Sequence, residues 1–259
     1  FCPPGLPMSI DNLTIADAEV TALVQNGGMS LSGDIALPSL ALTLNDGTKL
    51  QADLSLTKML AEMNKAGLSV QGSIQAAKAS AATAADLSGK ASLLRAANAQ
   101  AAFKDGKLSA SGDIEAREMD ISLGAGQKLK ASLTLQGLTL TQNAKGYTIT
   151  AETKADGLSL TTGKDQSVSG DVLLKKMNVL IAGTSLQAKA DVDVKNAAID
   201  AGGTSVRTEV LAPDTRLTFD TGRLETGLHG TFKGLSVKAG GITASTAPGG
   251  SRAPELTLR

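Results

Sequence analysis

Leu40-Ala41-Leu42-Thr43-Leu44-Asn45-Asp46-Gly47-Thr48-Lys49-Leu50-Gln51-Ala52-Asp53-Leu54-Ser55-Leu56 reads as an antiparallel β-hairpin. Apolar residues recur at every second position on both sides of Asp46-Gly47. Successive side chains of a strand point to opposite faces, so this pattern gives one apolar face and one polar face. Asp-Gly supplies the turn. Thr43, Gln51, Asp53 and Ser55 fall on the polar side. A one-residue slip would turn the whole apolar row into water, so the register is well specified.

The same pattern recurs along the chain. Ser32-Gly33-Asp34-Ile35 precedes the first hairpin and returns as Ser111-Gly112-Asp113-Ile114 and Ser169-Gly170-Asp171-Val172. Behind the second copy come Met119, Ile121 and Leu123, then Gly126, then Leu129, Ala131, Leu133 and Leu135. Behind the third come Met177, Val179 and Ile181, then Gly183, then Leu186, Ala188, Ala190, Val192 and Val194. The polar side of that third unit carries Gln187, Lys189, Asp191 and Asp193. A degenerate copy begins at Gln71-Gly72-Ser73-Ile74. The Ser-Gly-Asp elements read as turn or bulge elements of hairpins. Turn spacing predicts roughly ten to fourteen strands.

Two segments depart from the pattern. Residues 57–67 read as a short helix, with Thr57 capping its start, Gly67 its end, and Leu56, Leu60 and Met63 on one face. The stretch from Ala76 to Ala102 holds 13 Ala in 27 residues, which favours helix by propensity. Its repeat context favours strand, with Ala91, Leu93, Ala97, Ala99, Ala101 and Phe103 in alternation, and strand is the reading adopted. The organisation expected is a Pro-rich lead-in over 1–8, one repeat-built β domain over 9–240, and a flexible tail over 241–259.

Composition limits the chemistry. The 259 residues carry 25 Lys+Arg and 25 Asp+Glu, so no basic excess marks a nucleic-acid binder. One Cys excludes a disulfide framework and a Cys-based zinc site. The one His, His229, has no marked partner for catalysis and reads as a surface residue. Gly89-Lys90, Gly106-Lys107 and Gly163-Lys164 lack the spacing of a phosphate-binding loop. Asp191 and Asp193 read as solvating charges, and the Ser-Gly-Asp elements lack the ligand count of a calcium loop. Cys2 reads as a free thiol, and Asn12-Leu13-Thr14 matches a glycosylation sequon. No catalytic, cofactor or metal residues are assigned, and no enzyme activity is expected. There is no run of about 18 apolar residues. Aromatics make up 2% of the chain, which excludes the aromatic girdles of an outer-membrane pore.

An amphipathic sheet must cover its apolar face with another layer, with itself or with a ligand. Alternation alone is met most often as an ordinary sandwich core. A smooth aliphatic face also suits acyl chains, whose binding is mainly area burial.

Ile10-Asp11-Asn12-Leu13-Thr14-Ile15-Ala16-Asp17-Ala18-Glu19-Val20, the stretch Lys104-Asp105-Gly106-Lys107-Leu108-Ser109-Ala110-Ser111-Gly112-Asp113 and the repeated Ser-Gly-Asp hairpins resemble the AsmA-like and TamB-like proteins. The resemblance covers about residues 9 to 240. It implies an all-β fold of antiparallel hairpins curled into an elongated, taco-like groove. It further implies a periplasmic protein of Gram-negative bacteria that binds or transfers phospholipid or another acyl-chain lipid, or serves outer-membrane biogenesis. Anchoring through a membrane segment not present in this chain is implied too, with membrane proteins of the cell envelope as a second candidate class of partner. The groove residues expected are Leu40, Leu42, Leu44, Leu54, Leu56, Met119, Ile121, Leu123, Leu133, Leu135, Met177, Val179, Ile181, Val192 and Val194. The competing reading is a structural or surface β-repeat protein, such as a β-solenoid passenger or adhesin stalk, with its apolar face packed internally.

Overall fold

The structure is a computed structural model that describes residues 8–12, 17–25, 28–44, 46–83, 87–144, 146–163, 165–220, 223–245 and 255–258. Residues 1–7 of the Pro-rich lead-in, Cys2 among them, the Leu13-Thr14 half of the sequon and the stretch Ala247-Pro248-Gly249-Gly250-Ser251 lie outside them.

The described residues form fifteen strands and no helix. In chain order they are β1 (Met8–Asn12), β2 (Asp17–Gln25), β3 (Gly28–Leu44), β4 (Lys49–Asn64), β5 (Gly67–Ala82), β6 (Ser88–Lys104), β7 (Lys107–Gly124) and β8 (Gln127–Asn143). They continue as β9 (Gly146–Thr161), β10 (Gln166–Ala182), β11 (Ser185–Ala201), β12 (Thr204–Asp220), β13 (Arg223–Ala239), β14 (Ile242–Ser245) and β15 (Glu255–Leu258). Two compact units divide the chain. The first holds residues 1–124 with 137–141, the second 125–136 with 142–259.

Within the first unit β3 to β7 pair antiparallel in sequence order, and β1 and β2 both pair with β3. Within the second unit β9 to β13 do the same, and β14 and β15 both pair with β13. The expected architecture of consecutive antiparallel hairpins is what the chain forms. Tight turns close them, the predicted Asp46-Gly47 among them. Gly47 N donates to the Leu44 carbonyl, and Thr48 N donates to Asp46 Oδ1 at 2.8 Å. Asp105 and Gly106 have φ of 50° and 73°, the paired positive values of a type I′ turn.

Each strand from β3 to β13 carries in its interior one residue with φ between 49° and 60°, in the left-handed region. They are Ser39, Lys58, Lys78, Asn98, Glu118, Gly137, Gly157, Lys176, Asn196, Asp214 and Gly234, spaced 18–20 residues apart. The repeat is therefore one strand long. The Ser-Gly-Asp elements sit on β3, β7 and β10, four and three strands apart. A residue in this conformation interrupts the ladder like a β-bulge, and the register shifts beside it, as between Leu37 and Leu40 or Leu174 and Met177. It also moves the side-chain alternation by one residue.

The Ser-Gly-Asp elements lie inside strands, not at hairpin turns, and their aspartates serve these bulges. Asp34 accepts from Lys58 N, Asp113 from Gly137 N at 2.9 Å, and Asp171 from Gly157 N at 2.8 Å. Asp53 accepts from Ser39 N at 3.0 Å and Asp191 from Asp214 N at 3.0 Å. In the degenerate copy Ser73 Oγ does the same for Asn98 N at 3.3 Å. Three of these carboxylates grip both neighbouring strands. The second oxygen of Asp53 meets Lys78 Nζ at 3.1 Å, that of Asp171 meets Asn196 Nδ2 at 2.8 Å, and that of Asp191 meets Lys176 Nζ at 2.9 Å. In each case the side chain comes from the neighbouring strand's own left-handed residue. Donation from these backbone amides, then from the side chains, holds Asp53, Asp171 and Asp191 below the usual carboxylate range.

Residues 57–67 correct the sequence reading. Thr57 to Asn64 belong to β4, Lys65-Ala66 is a turn, and Gly67 opens β5. Lys58, at φ 54°, explains the error. The apolar row runs Leu54, Leu56, then Met59, Ala61, Met63. One extra residue in a period-2 pattern produces an i, i+3 interval, which imitates a helical face. The Ala-rich stretch forms β5 and β6, as adopted. Its alternation slips twice, however. The apolar row of β6 runs Ala91, Leu94, Ala96, Ala99, Ala101 and Phe103, so Leu93 and Ala97 face the other way.

Two outcomes test this scheme. A carboxylate with a depressed folded pKa stabilises fully above its ordinary value of 3.8 and loses that contribution as pH falls through the depressed one. The urea midpoint of the wild type should be flat down to about pH 5 and then fall. The triple variant Asp53→Asn, Asp171→Asn, Asp191→Asn keeps acceptors without titration, so its midpoint should fall less over the same range. Gly157→Val meets nothing within 4 Å but forces a β-branched side chain to φ 60°. It should lower stability by about 1–2 kcal/mol in urea unfolding.

Candidate functional site

The registers of the first unit stack the apolar residues of β3 to β7 into cross-strand rows. Met29, Met63, Leu68, Phe103 and Leu108 form one row. The next are Leu31, Ala61, Val70, Ala101, Ala110, and then Ile35, Leu56, Ile74, Ala96, Ile114. Beyond them lie Leu37, Leu54, Ala76, Leu94, Ala116, and Leu42, Leu50, Ala81, Gly89, Ile121. No position in these five rows is polar. The bulges shift the alternation of each strand, yet the rows stay intact, because the register shifts where the partner has no matching insertion, as at Leu37 and Leu40 opposite Leu54 and Ala52.

The opposite face is mainly polar, with Leu60 and Leu93 as apolar exceptions. Ser30, Glu62 and Ser69 form one of its rows, and Gln51, Ser80, Lys90 and Asp120 another. The gripping residues Asp34, Asp53, Ser73 and Asp113 are on this side by alternation.

Among the described residues of the unit no second layer lies on the apolar face. Among the described residues no large side chain is fully buried, and those that are well buried are alanines, such as Ala91 and Ala116. In the first row Met29 is 46%, Met63 51%, Leu68 47% and Phe103 51% exposed, which excludes a packed core at that end. At the other end the face sinks into a trough of about 370 Å³. Its middle is low, with Ala52, Ala76, Ala79, Ala81, Gly89 and Ala91. Its sides are tall, with Leu40, Leu42 and Leu50 on β3 and β4 and Leu94, Met119 and Ile121 on β6 and β7. The volume falls within the roughly 300–1,000 Å³ range of ligand pockets.

The structure thus brings together Leu40, Leu42, Met119 and Ile121 of the residues expected from sequence. Leu54 and Leu56 lie on the same face outside the trough. Leu44 and Leu123 extend it by alternation toward the strand ends, Leu123 being 43% exposed. In the second unit Val179 and Ile181 on β10 stand in rows with Ile149, Ala188 and Leu217, and with Tyr147, Leu186 and Phe219. Val192 and Val194 on β11 face Leu174 and Val172, and Met177 faces Ala151. Leu133 and Leu135 alternate with buried Ala131 on β8. The floor residues Ala76, Ala79, Ala81, Gly89 and Ala91 were missed. The signal was available in the Ala-rich strands, since small residues opposite Leu and Ile lower the surface.

The polar residues offer little reactive chemistry. Among the described residues no group of three or more His, Cys, Asp and Glu could hold a metal ion. His229 pairs through its backbone with Thr257, and its side chain lies outside the described ones. Asp191 is occupied by its grip on Lys176 and Asp214, so it is a structural carboxylate. No family model matches the chain, and no curated protein or solved structure matches it either.

Proposed function

We propose that this chain holds phospholipid or another acyl-chain lipid against its apolar sheet face, as a binding protein and not an enzyme. On this reading it serves lipid transport or outer-membrane biogenesis in the periplasm of a Gram-negative cell, alongside membrane proteins of the envelope. The observation that carries the reading is the uncovered apolar face of β3 to β7 with its trough. A sheet face of this kind in water needs a cover. An alkyl chain supplies one without hydrogen bonds, at about 0.8 kcal/mol per buried methylene. The aliphatic, nearly aromatic-free lining supports an occupant recognised by area rather than by oriented polar contacts.

The test begins with protein expressed in a Gram-negative envelope and purified without detergent. Organic extraction and mass spectrometry should recover phospholipid in stoichiometric amount, and a lipid-free protein sinks the proposal. The double variant Ala79→Phe, Ala81→Phe raises the trough floor at two half-buried positions. Displacing two methylenes should weaken binding of a fluorescent fatty-acid probe about tenfold. Its melting temperature should stay near that of the wild type, which separates a filled trough from a damaged fold.

A further inference from the structure

We propose that the chain self-associates through the free edge of β2, as a two-fold dimer in which Asp17–Gln25 pairs antiparallel with the same strand of a second copy. β2 hydrogen-bonds β3 along its whole length on one side. Among the described strands none pairs with its other side. This leaves a nine-residue edge, whereas β1, β14 and β15 are four or five residues long. Its residues from Ala18 to Val24 are exposed, with Val20 and Leu23 at 50% and Val24 at 73%. Natural proteins blunt such edges with Lys, Pro or bulges. β2 contains no Lys, Arg or Pro, its only charged residues are Asp17 at its end and Glu19, and its register to β3 runs without a shift.

The sequence of β2 is complementary to itself. With Thr21 opposite Thr21, Asp17 meets Gln25, Ala18 meets Val24, Glu19 meets Leu23 and Val20 meets Ala22. Apolar pairs fall together on one side and no like charges oppose each other. The two Glu19 carboxylates stand four residues apart along the joint, about 14 Å, which is beyond a Debye length at physiological salt. Pairing would close roughly nine backbone hydrogen bonds, one per paired residue. The side also matches. Val20, Ala22 and Val24 stand opposite Gly33, Leu31 and Met29, so they continue the apolar face. A second copy joined here extends that face across the seam. Because the same edge is used in both copies, the association stops at two.

Light scattering after gel filtration, in detergent-free buffer with reductant, should give twice the protomer mass of 26.2 kDa. Val20→Lys with Val24→Lys should give a monomer with unchanged circular dichroism and melting. Thr21→Cys in a Cys2→Ala background should form a disulfide-linked dimer under mild oxidation. Cα atoms of directly opposite antiparallel residues stand about 4.5–5.5 Å apart, within disulfide reach. A monomeric wild type, a polymer larger than two, or a dimer that survives the lysines while Thr21→Cys fails to cross-link overturns the proposal. Lipid content enters none of these readings.

Discussion

The left-handed residue inside every long strand is the constraint on which the rest depends. Ser39, Lys58, Asn98, Gly137, Gly157 and Asp214 each turn a backbone N–H out of the ladder. A donor left without a partner costs about 1–3 kcal/mol when it is shielded from water. Here a carboxylate or hydroxyl on the next strand takes it up. Because Asp53, Asp171 and Asp191 each bind the left-handed residues on both sides, three strands are fixed at one height by one side chain. The exposed ion pairs among these contacts add little on their own. Their value is geometric: they define where each strand inserts its extra residue.

That placement determines the apolar face. A residue inserted without a matching shift of register would rotate the rest of its strand by one position and put its Leu and Ile side chains in water. In the first unit Leu37 steps to Leu40, Ala76 to Ala79 and Ala116 to Met119, with Leu54, Leu94 and their neighbours meeting them in register. Register shifts absorb the insertions that a partner strand does not match, and the rows survive them. Cross-strand pairs on one face contribute roughly 0.2–1 kcal/mol each, and they are the packing that the described rows of the first unit share.

The hairpins were legible in the sequence because alternation and turn chemistry are local. Asp46-Gly47 and Asp105-Gly106 sit where the chain turns. The insertions were not legible, because a left-handed Lys58 or Glu118 has no sequence mark and glycine stands at only some of the equivalent positions. The residue that makes the conformation affordable is an aspartate on another strand. Ser-Gly-Asp therefore stood out as a repeat while its task, taking an amide 24 residues away in the case of Asp34 and Lys58, was hidden. The helix expected at 57–67 came from the same cause. The site was legible in its tall residues, such as Leu40, Leu42, Met119 and Ile121, and not in its floor. Alanines read as helix propensity one at a time and become a trough only when five strands are laid side by side.

The two faces thus divide the work. Aspartates, their amides and the Lys and Asn side chains that join them all act on the polar face, where water can solvate what the grips leave over. Nothing in that scheme requires the apolar side chains to touch another layer. In an ordinary sandwich the apolar face carries the stability and cannot also be open. Here register and bulge position are enforced from the other side, so the apolar face does not depend on a second protein layer for its order. A chain with few aromatics suits this arrangement, because low, flexible aliphatic rows keep a broad face smooth. The bulge-gripping aspartates belong to the same division: Asp34, Asp53, Asp113, Asp171 and Asp191 are engaged in holding the sheet.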